Sequence, residues 1–370
     1  MSTRMMPGRF AVVCHVIASF ACAASVAACY SPVSYPDGVF VEKVKYEKRV
    51  LFRGSNMNLV SDLQQGDFDR DGADEVLAVA GDGIHLLELD GREKRFTPFR
   101  SAERPWAVRA VTGMADGRLR FIGNLPNVGQ TVLFDESGAV VWTAPGASYG
   151  EPIAADLDGD GRVEVVSPGG AGLDVRSLDG VSLREFTAAG RPLYFDCMDM
   201  DGDGRADVVA ENFTDGRNRM AIFAGDGRPL AHWMSPQVFN RFGVVTGTGG
   251  TRPSLMVLSD GVEELVFFDV GGNVVRSLRA PWGNRLSRPR GMTMRVAGAD
   301  AGFVCLGTSK GSRHHHITYV YGAGGDLVYA DSAVDDANAV LALLAPQAGG
   351  GSPSFLVGSR NVIWKYVEKR

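Results

Sequence analysis

Residues 155–166 read ADLDGDGRVEVV, in which Asp156, Asp158, Asp160 and Glu164 set four carboxylates on one short loop. Four like charges this close repel one another, so something must offset them. Two further stretches have the same spacing: GDFDRDGADEVL at residues 66–77 and MDMDGDGRADVV at residues 198–209. In each, Asp-x-Asp-x-Asp-Gly-x-x-Asp/Glu runs straight into an apolar, strand-like segment.

The first acidic positions are Asp67, Asp156 and Asp199, separated by 89 and 43 residues. The larger step is about two units of roughly 45 residues, a length typical of sheet-based repeats. A further copy is therefore expected near residue 112. AVTGMADGRLRFIG at residues 110–123 keeps Asp116, Gly117 and the apolar strand but has lost the other carboxylates.

A second periodic signal runs the length of the chain. Turn dipeptides fall at Asp90-Gly91, Ser137-Gly138, Asp179-Gly180, Asp226-Gly227, Gly271-Gly272 and Gly324-Gly325, stepping by 47, 42, 47, 45 and 53 residues. Each lies between two short apolar runs, which is the signature of a β-hairpin. One unit thus reads as strand, loop, strand, loop, strand, tight turn, strand, and no long amphipathic helical pattern interrupts it. Four short antiparallel strands per unit make one blade of a β-propeller.

The chain ends supply the number of blades. After the sixth hairpin come three more strand-like runs, AVLALLAP, SFLVGS and NVIWKYVEKR, with no fourth. Near the other end, PDGVFVEKVKYEKRVLF (residues 36–52) is a strand with no blade before it. Pairing the two would complete the last blade and hide two exposed sheet edges. The expected fold is all-β: a seven-bladed β-propeller of four-stranded antiparallel blades, closed by an N-terminal strand. The charges at Glu42, Lys43, Lys45, Glu47, Lys48 and Arg49 place that strand on a solvated outer edge.

Residues 1–28 read as a leader, residues 29–38 as a tether and residues 39–370 as the propeller. Arg4 and Arg9 precede an uncharged apolar run that ends in VAAC, residues 26–29. This resembles the lipobox of bacterial lipoproteins, which implies cleavage before Cys29 and lipidation of its thiol. An uncleaved transmembrane anchor is the alternative, although alanine and serine make the run weakly hydrophobic. Tyr30, rather than an aspartate, follows the cysteine, so an outer-membrane address is expected, on either its periplasmic or its surface side.

Without the leader, 36 basic residues face 43 acidic ones, and no basic patch with interleaved aromatics stands out. Nucleic acid is therefore not an expected partner. Of five cysteines, Cys197 and Cys305 remain after the leader and Cys29 are set aside. Both lie in apolar runs that suit buried thiols, with a disulfide between them as the alternative in an oxidising compartment.

The acidic loops have the chemistry of a hard-cation site. Carboxylates at positions 1, 3 and 5 converge, glycine at 6 permits the reversal, the carbonyl at 7 joins, and the acid at 9 closes the cage. Calcium takes six to eight oxygens, whereas magnesium suits the pattern less well because it demands a strict octahedron and retains water. The expected ligands are Asp67, Asp69, Asp71 and Glu75 with the Ala73 carbonyl; Asp156, Asp158, Asp160 and Glu164 with that of Arg162; and Asp199, Asp201, Asp203 and Asp207 with that of Arg205. About three Ca²⁺ sites are expected.

DLDGDGRVEVVSPGG and DMDGDGRADVVAEN resemble the FG-GAP/VCBS-type repeats of bacterial surface proteins and of integrin-like propellers. The resemblance covers three units well and a fourth, around Asp116, faintly. It implies that each calcium loop joins the first two strands of a blade, and that the ring is used mainly for binding.

Little in the sequence suggests catalysis. No His-Glu-x-x-His or phosphate-binding loop occurs, and GTGGTR (Gly247 to Arg252) places arginine where a dinucleotide fingerprint needs glycine. His314 and His316 would share one face of a strand and could hold a transition metal, but a polar strand end accounts for them as well. His85 and His232 stand singly. The expected function is a non-catalytic, monomeric binding or scaffolding lipoprotein of the cell envelope, engaging a protein or glycan. A calcium-dependent polysaccharide lyase or hydrolase is one alternative. The other is a quinoprotein-like propeller, acting as an outer-membrane assembly scaffold or a dehydrogenase, because FDESGAVVW (Phe134 to Trp142) resembles a turn of those blades.

Overall fold

Short apolar runs broken by glycine and aspartate give 29 strands among the described residues. The computed structural model describes residues 39–369, apart from 100–105, 112–117, 126–127, 147–150, 188–191, 193, 236–238, 246–253, 260–263, 280–284, 297–298, 309–314, 336–339 and 345–353. Strands β1 (Val39–Glu42) and β2 (Tyr46–Arg53) come first. Blade 1 is β3 (Val60–Gly66), β4 (Glu75–Ala80), β5 (Gly83–Glu88) and β6 (Glu93–Pro98). Blade 2 is β7 (Trp106–Val111), β8 (Arg120–Leu125), β9 (Gln130–Asp135) and β10 (Val140–Pro145). Blade 3 is β11 (Ile153–Ala155), β12 (Glu164–Pro168), β13 (Leu173–Arg176) and β14 (Ser182–Phe186). Blade 4 is β15 (Tyr194–Met198), β16 (Asp207–Thr214), β17 (Arg217–Phe223) and β18 (Pro229–Met234). Blade 5 is β19 (Phe239–Val245), β20 (Ser254–Ser259), β21 (Glu264–Phe268) and β22 (Val274–Arg279). Blade 6 is β23 (Arg285–Val296), β24 (Ala299–Thr308), β25 (His315–Tyr321) and β26 (Leu327–Asp335). Blade 7 takes β27 (Val340–Leu344), β28 (Ser354–Gly358) and β29 (Val362–Glu368), and β2 completes it.

The structure is thus the expected seven-bladed, all-β propeller, with no α-helix among the described residues. First strands face their neighbours around the ring: β3 lies beside β7 and β27, and β15 beside β11 and β19. Second strands are covered on both faces by adjoining blades, so β4 and β12 are buried throughout. Outer strands such as β6 and β10 are mostly exposed. That contrast matches the sequences of blade 1, EVLAVA against EKRFTP, whereas β10 (VVWTAP) leaves Val140 and Val141 exposed.

Apolar clusters fill the junctions between blades. Leu77, Val79, Phe121 and Phe134 join blades 1 and 2, and Val166, Val175, Val208 and Phe223 join blades 3 and 4. Each such side chain, taken fully out of water, contributes about 1.5–3 kcal/mol. The tight turns add a specific lock. Trp142 on β10 donates its indole N–H to the Leu178 carbonyl at 2.9 Å, in the last turn of blade 3. Gly180 in that turn has φ +84°, and a Cβ there would sit 3.0 Å from the Trp142 ring. The turn therefore needs glycine both for its backbone and for the indole that covers it. Trp142 of the FDESGAVVW stretch thus serves blade docking, and the Trp233 ring likewise covers Gly272 between blades 4 and 5, without the indole hydrogen bond.

Closure uses the N-terminal segment, with one departure from expectation. It forms two strands rather than one. β2 pairs with β29 from Tyr46 opposite Glu368 to Arg53 opposite Val362, completing blade 7. β1 instead pairs with β26, adding a fifth strand to blade 6. Between them the backbone N–H groups of Lys43 and Val44 both donate to the Val328 carbonyl, at 2.8 and 3.1 Å, which anchors the crossing from one blade to the next. Glu42, Lys43, Lys45, Glu47 and Arg49 are exposed as expected, but Lys48 turns inward to Asp331. Cys197 on β15 and Cys305 on β24 are free thiols, the latter buried.

Candidate metal centres

The three acidic loops each join the first and second strands of a blade, in blades 1, 3 and 4. Their side chains are organised by the loops' own backbone. Asp67 accepts from Gly72 N–H at 3.1 Å, Asp156 from Gly161 N–H at 3.0 Å, and Asp199 from Gly204 N–H at 2.9 Å. The carboxylate at position 3 accepts from the N–H at 5, in Asp69, Asp158 and Asp201. The carboxylate at 5 accepts from the N–H at 7, namely Ala73, Arg162 and Arg205. These are Asx turns in series, and they point successive carboxylates to one side.

The acid at position 9 opens the second strand and is buried: Glu75 is 1% exposed, Glu164 5% and Asp207 1%. Each reaches back to the backbone N–H at position 2, of Phe68 (3.0 Å), Leu157 (2.9 Å) and Met200 (2.7 Å). Oxygens of Asp67, Asp69 and Asp71 gather within 4.8 Å of one another, as do those of Asp156, Asp158 and Glu164, and those of Asp199, Asp201 and Asp203. Glu75, Asp160 and Asp207 lie in the same loops but outside these tightest groups.

Sequence reading missed the glycine at position 4. Gly159 and Gly202 adopt φ +78° and +88°, so the second and third loops need two left-handed residues each. In the first loop that place is taken by Arg70, at φ 63°. The loops of blades 3 and 4 also touch, the Ala206 N–H donating to the Asp156 carbonyl at 3.0 Å.

The electrostatics separate the first loop from the others. Burial pushes the Glu164 carboxyl up; Asp158 and Asp156 add to the rise, and the Leu157 N–H and the more distant Arg184 charge only partly oppose it. Burial likewise lifts Asp207 to about 6, with Asp201 and Asp203 contributing. Among the described residues no cationic side chain is ion-paired with the carboxylates of these two loops. In the first loop, by contrast, Lys94 Nζ from β6 lies 2.6 Å from Asp69, 2.7 Å from Asp71 and 2.9 Å from Glu75. Its hydrogen bond holds the Asp71 carboxyl below the usual carboxylate range.

Hard oxygen donors of net negative charge, backed by a buried acid, fit a calcium-type cation at the second and third loops. Other singled-out residues lie elsewhere. His85 is buried, its Nδ1 2.7 Å from Glu93 and its Nε2 3.1 Å from Asp82. His315 and His316 sit on β25 opposite Asp335 and Val334. His314, Asp116, residues 247–252 and Cys29 lie outside the described residues. No helix among the described residues is long and apolar enough to cross a membrane.

No protein-family model and no curated protein matches the chain. Solved propellers do resemble it in shape. BBS1N, crystallised in complex with ARL6DN, superposes with a TM-score of 0.58 at 10% identity, covering 90% of this chain and 98% of its own. A catalytically inactive virginiamycin B lyase from Staphylococcus aureus, with quinupristin, gives 0.58 at 12% identity, covering 87% and 99%. At these identities the likeness is one of fold.

Proposed function

We propose that this chain is a calcium-stapled propeller that serves as a non-catalytic binding or scaffolding module at a bacterial cell envelope, tethered by lipid on Cys29. The observation that carries the calcium reading is the buried acid closing the second and third loops. A carboxylate buried among like charges is costly unless a cation offsets it. Calcium would be held by Asp156, Asp158, Asp160 and Glu164 with the Arg162 carbonyl, and by Asp199, Asp201, Asp203 and Asp207 with the Arg205 carbonyl. Asp67, Asp69, Asp71, Glu75 and the Ala73 carbonyl form the corresponding set in blade 1. Bound calcium supplies positive charge and ties the first strand of a blade to its second.

The binding role is favoured over an enzymatic one by what the carboxylates do. Each aspartate named as a ligand accepts from its own loop's backbone, an arrangement suited to holding an ion rather than moving a proton. The solved neighbours include a propeller in complex with another protein and a lyase, so the fold itself accommodates both. The ring face that carries the first-to-second-strand loops is the proposed contact surface for an envelope protein or glycan. Affinity capture from solubilised envelope, in calcium and in chelator, tests the proposal. A specific protein or glycan retained only in calcium supports it. Turnover of an acidic polysaccharide, or a quinone absorbance in the purified chain, would overturn it in favour of an enzyme.

A further inference from the structure

Blade 1 carries the acidic spacing of the other two loops but differs in what faces it. Lys94 Nζ stands within hydrogen-bond distance of Asp69 Oδ2, Asp71 Oδ2 and Glu75 Oε1 at once. The second Glu75 oxygen is taken by the Phe68 N–H, and Asp67 by the Gly72 N–H. Calcium–oxygen distances are about 2.3–2.6 Å, so an ion bound by the same three carboxylates would occupy the space the ammonium occupies. The two cations exclude each other.

The lysine is a local peculiarity of this blade. On β6 it sits at a bulge, between Glu93 opposite Leu87 and Arg95 opposite Leu86. The same bulge recurs in blade 3 at Leu183, between Ser182 and Arg184, and in blade 4 at Leu230, between Pro229 and Ala231. Where blades 3 and 4 place a leucine, blade 1 places a long cationic side chain that reaches the loop. The Lys94 side chain is only 20% exposed, and Glu75 beneath it 1%. The strained backbone at Arg70, where the other loops have glycine, marks the same loop as divergent.

We infer that Lys94 is the built-in cation of the blade 1 loop, so that the chain binds calcium at its second and third acidic loops and not at its first. The inference rests on the calcium reading of those two loops and revises its count from about three ions to two. A tethered ammonium needs no free ion, so blade 1 keeps its closed loop when calcium is scarce, while blades 3 and 4 respond to calcium.

Equilibrium dialysis of the full-length chain with calcium measures the stoichiometry. The expected result is two ions per chain, rising to three in Lys94→Met, which keeps an apolar stem and removes the charge. Asp158→Asn and Asp203→Asn should each remove one ion, and Asp69→Asn none. Three ions in the unaltered chain, or no gain in Lys94→Met, would overturn the inference. No ion at all would defeat the calcium reading instead. In that case amine labelling with acetic anhydride still decides the role of Lys94: it should react several-fold more slowly than Lys43, whose side chain is 64% exposed. Equal rates would overturn it.

Discussion

Lys48 Nζ lies 2.8 Å from Asp331 Oδ2 across the junction between blades 7 and 6, and the Asp331 side chain is fully buried. Tyr366 OH donates to the same oxygen at 2.9 Å, and the lysine ammonium lies 4.4 Å from the centre of the Trp364 ring. One strand that completes the ring therefore also carries the charge that satisfies a buried acid in the neighbouring blade. Removing one charge of such a buried pair takes away the opposite charge that offsets the other, at a cost of up to about 3–5 kcal/mol. Lys48→Met should lose about that much in urea unfolding. Asp331→Asn should lose less, because Lys48 keeps a 14% exposed path to water and an aromatic face. Equal losses would show that the pair is not what the acid depends on.

The two N-terminal strands should differ in importance. β1 adds an edge to an already complete blade, whereas β2 supplies the missing strand of blade 7. A chain beginning at residue 45 is expected to unfold cooperatively, with a modest loss of stability. One beginning at residue 54 should lose cooperative unfolding, because β29 and the apolar partners of Leu51 become exposed. Calorimetry of the two truncations distinguishes these outcomes.

The turn that Trp142 covers gives a second test of blade docking. Gly180→Ala places a Cβ on a left-handed backbone and against the indole, and should cost about 2 kcal/mol. Trp142→Phe loses the hydrogen bond to the Leu178 carbonyl, and should cost about 1 kcal/mol. Because the two residues touch, their combined loss in urea unfolding is expected to fall short of the sum.

The buried acid of blade 4 predicts an unusual pH response. Asp207 titrates at about 6 in the fold, against an ordinary 3.8, so the folded chain holds its proton more tightly than the unfolded chain does. With metal removed, this carboxyl makes the protein more stable as pH falls through about 6 toward 4. In calcium the trend should reverse, since the ion binds the deprotonated form. Asp207→Asn removes the acid-side gain in chelator. Thermal unfolding at two pH values, with and without chelator, checks all three statements.

Much of this was legible in the sequence, for identifiable reasons. Turn glycines at Gly91, Gly138, Gly180, Gly227, Gly272 and Gly325 all adopt positive φ at the predicted hairpins, because a tight turn imposes its chemistry locally. The missing fourth strand in the last unit revealed the closure by simple counting. The acidic loops were found where expected, since the spacing that aims carboxylates together is itself a sequence pattern. What escaped was long-range. Lys48 read as one charge in a solvated run because nothing nearby in sequence announces Asp331. Lys94, in REKRF, read as an ordinary outer-strand residue because its meaning depends on a bulge and on a loop about twenty positions earlier.

Thermal unfolding of the chain in millimolar calcium and in excess chelator tests the central claim most directly. A ligand that binds only the folded state raises the unfolding temperature by mass action. The account predicts a large upward shift with calcium, shrinking in Asp158→Asn and in Asp203→Asn. The same unfolding temperature in calcium and in chelator would contradict it, and would leave the acidic loops as turns held by their own backbone.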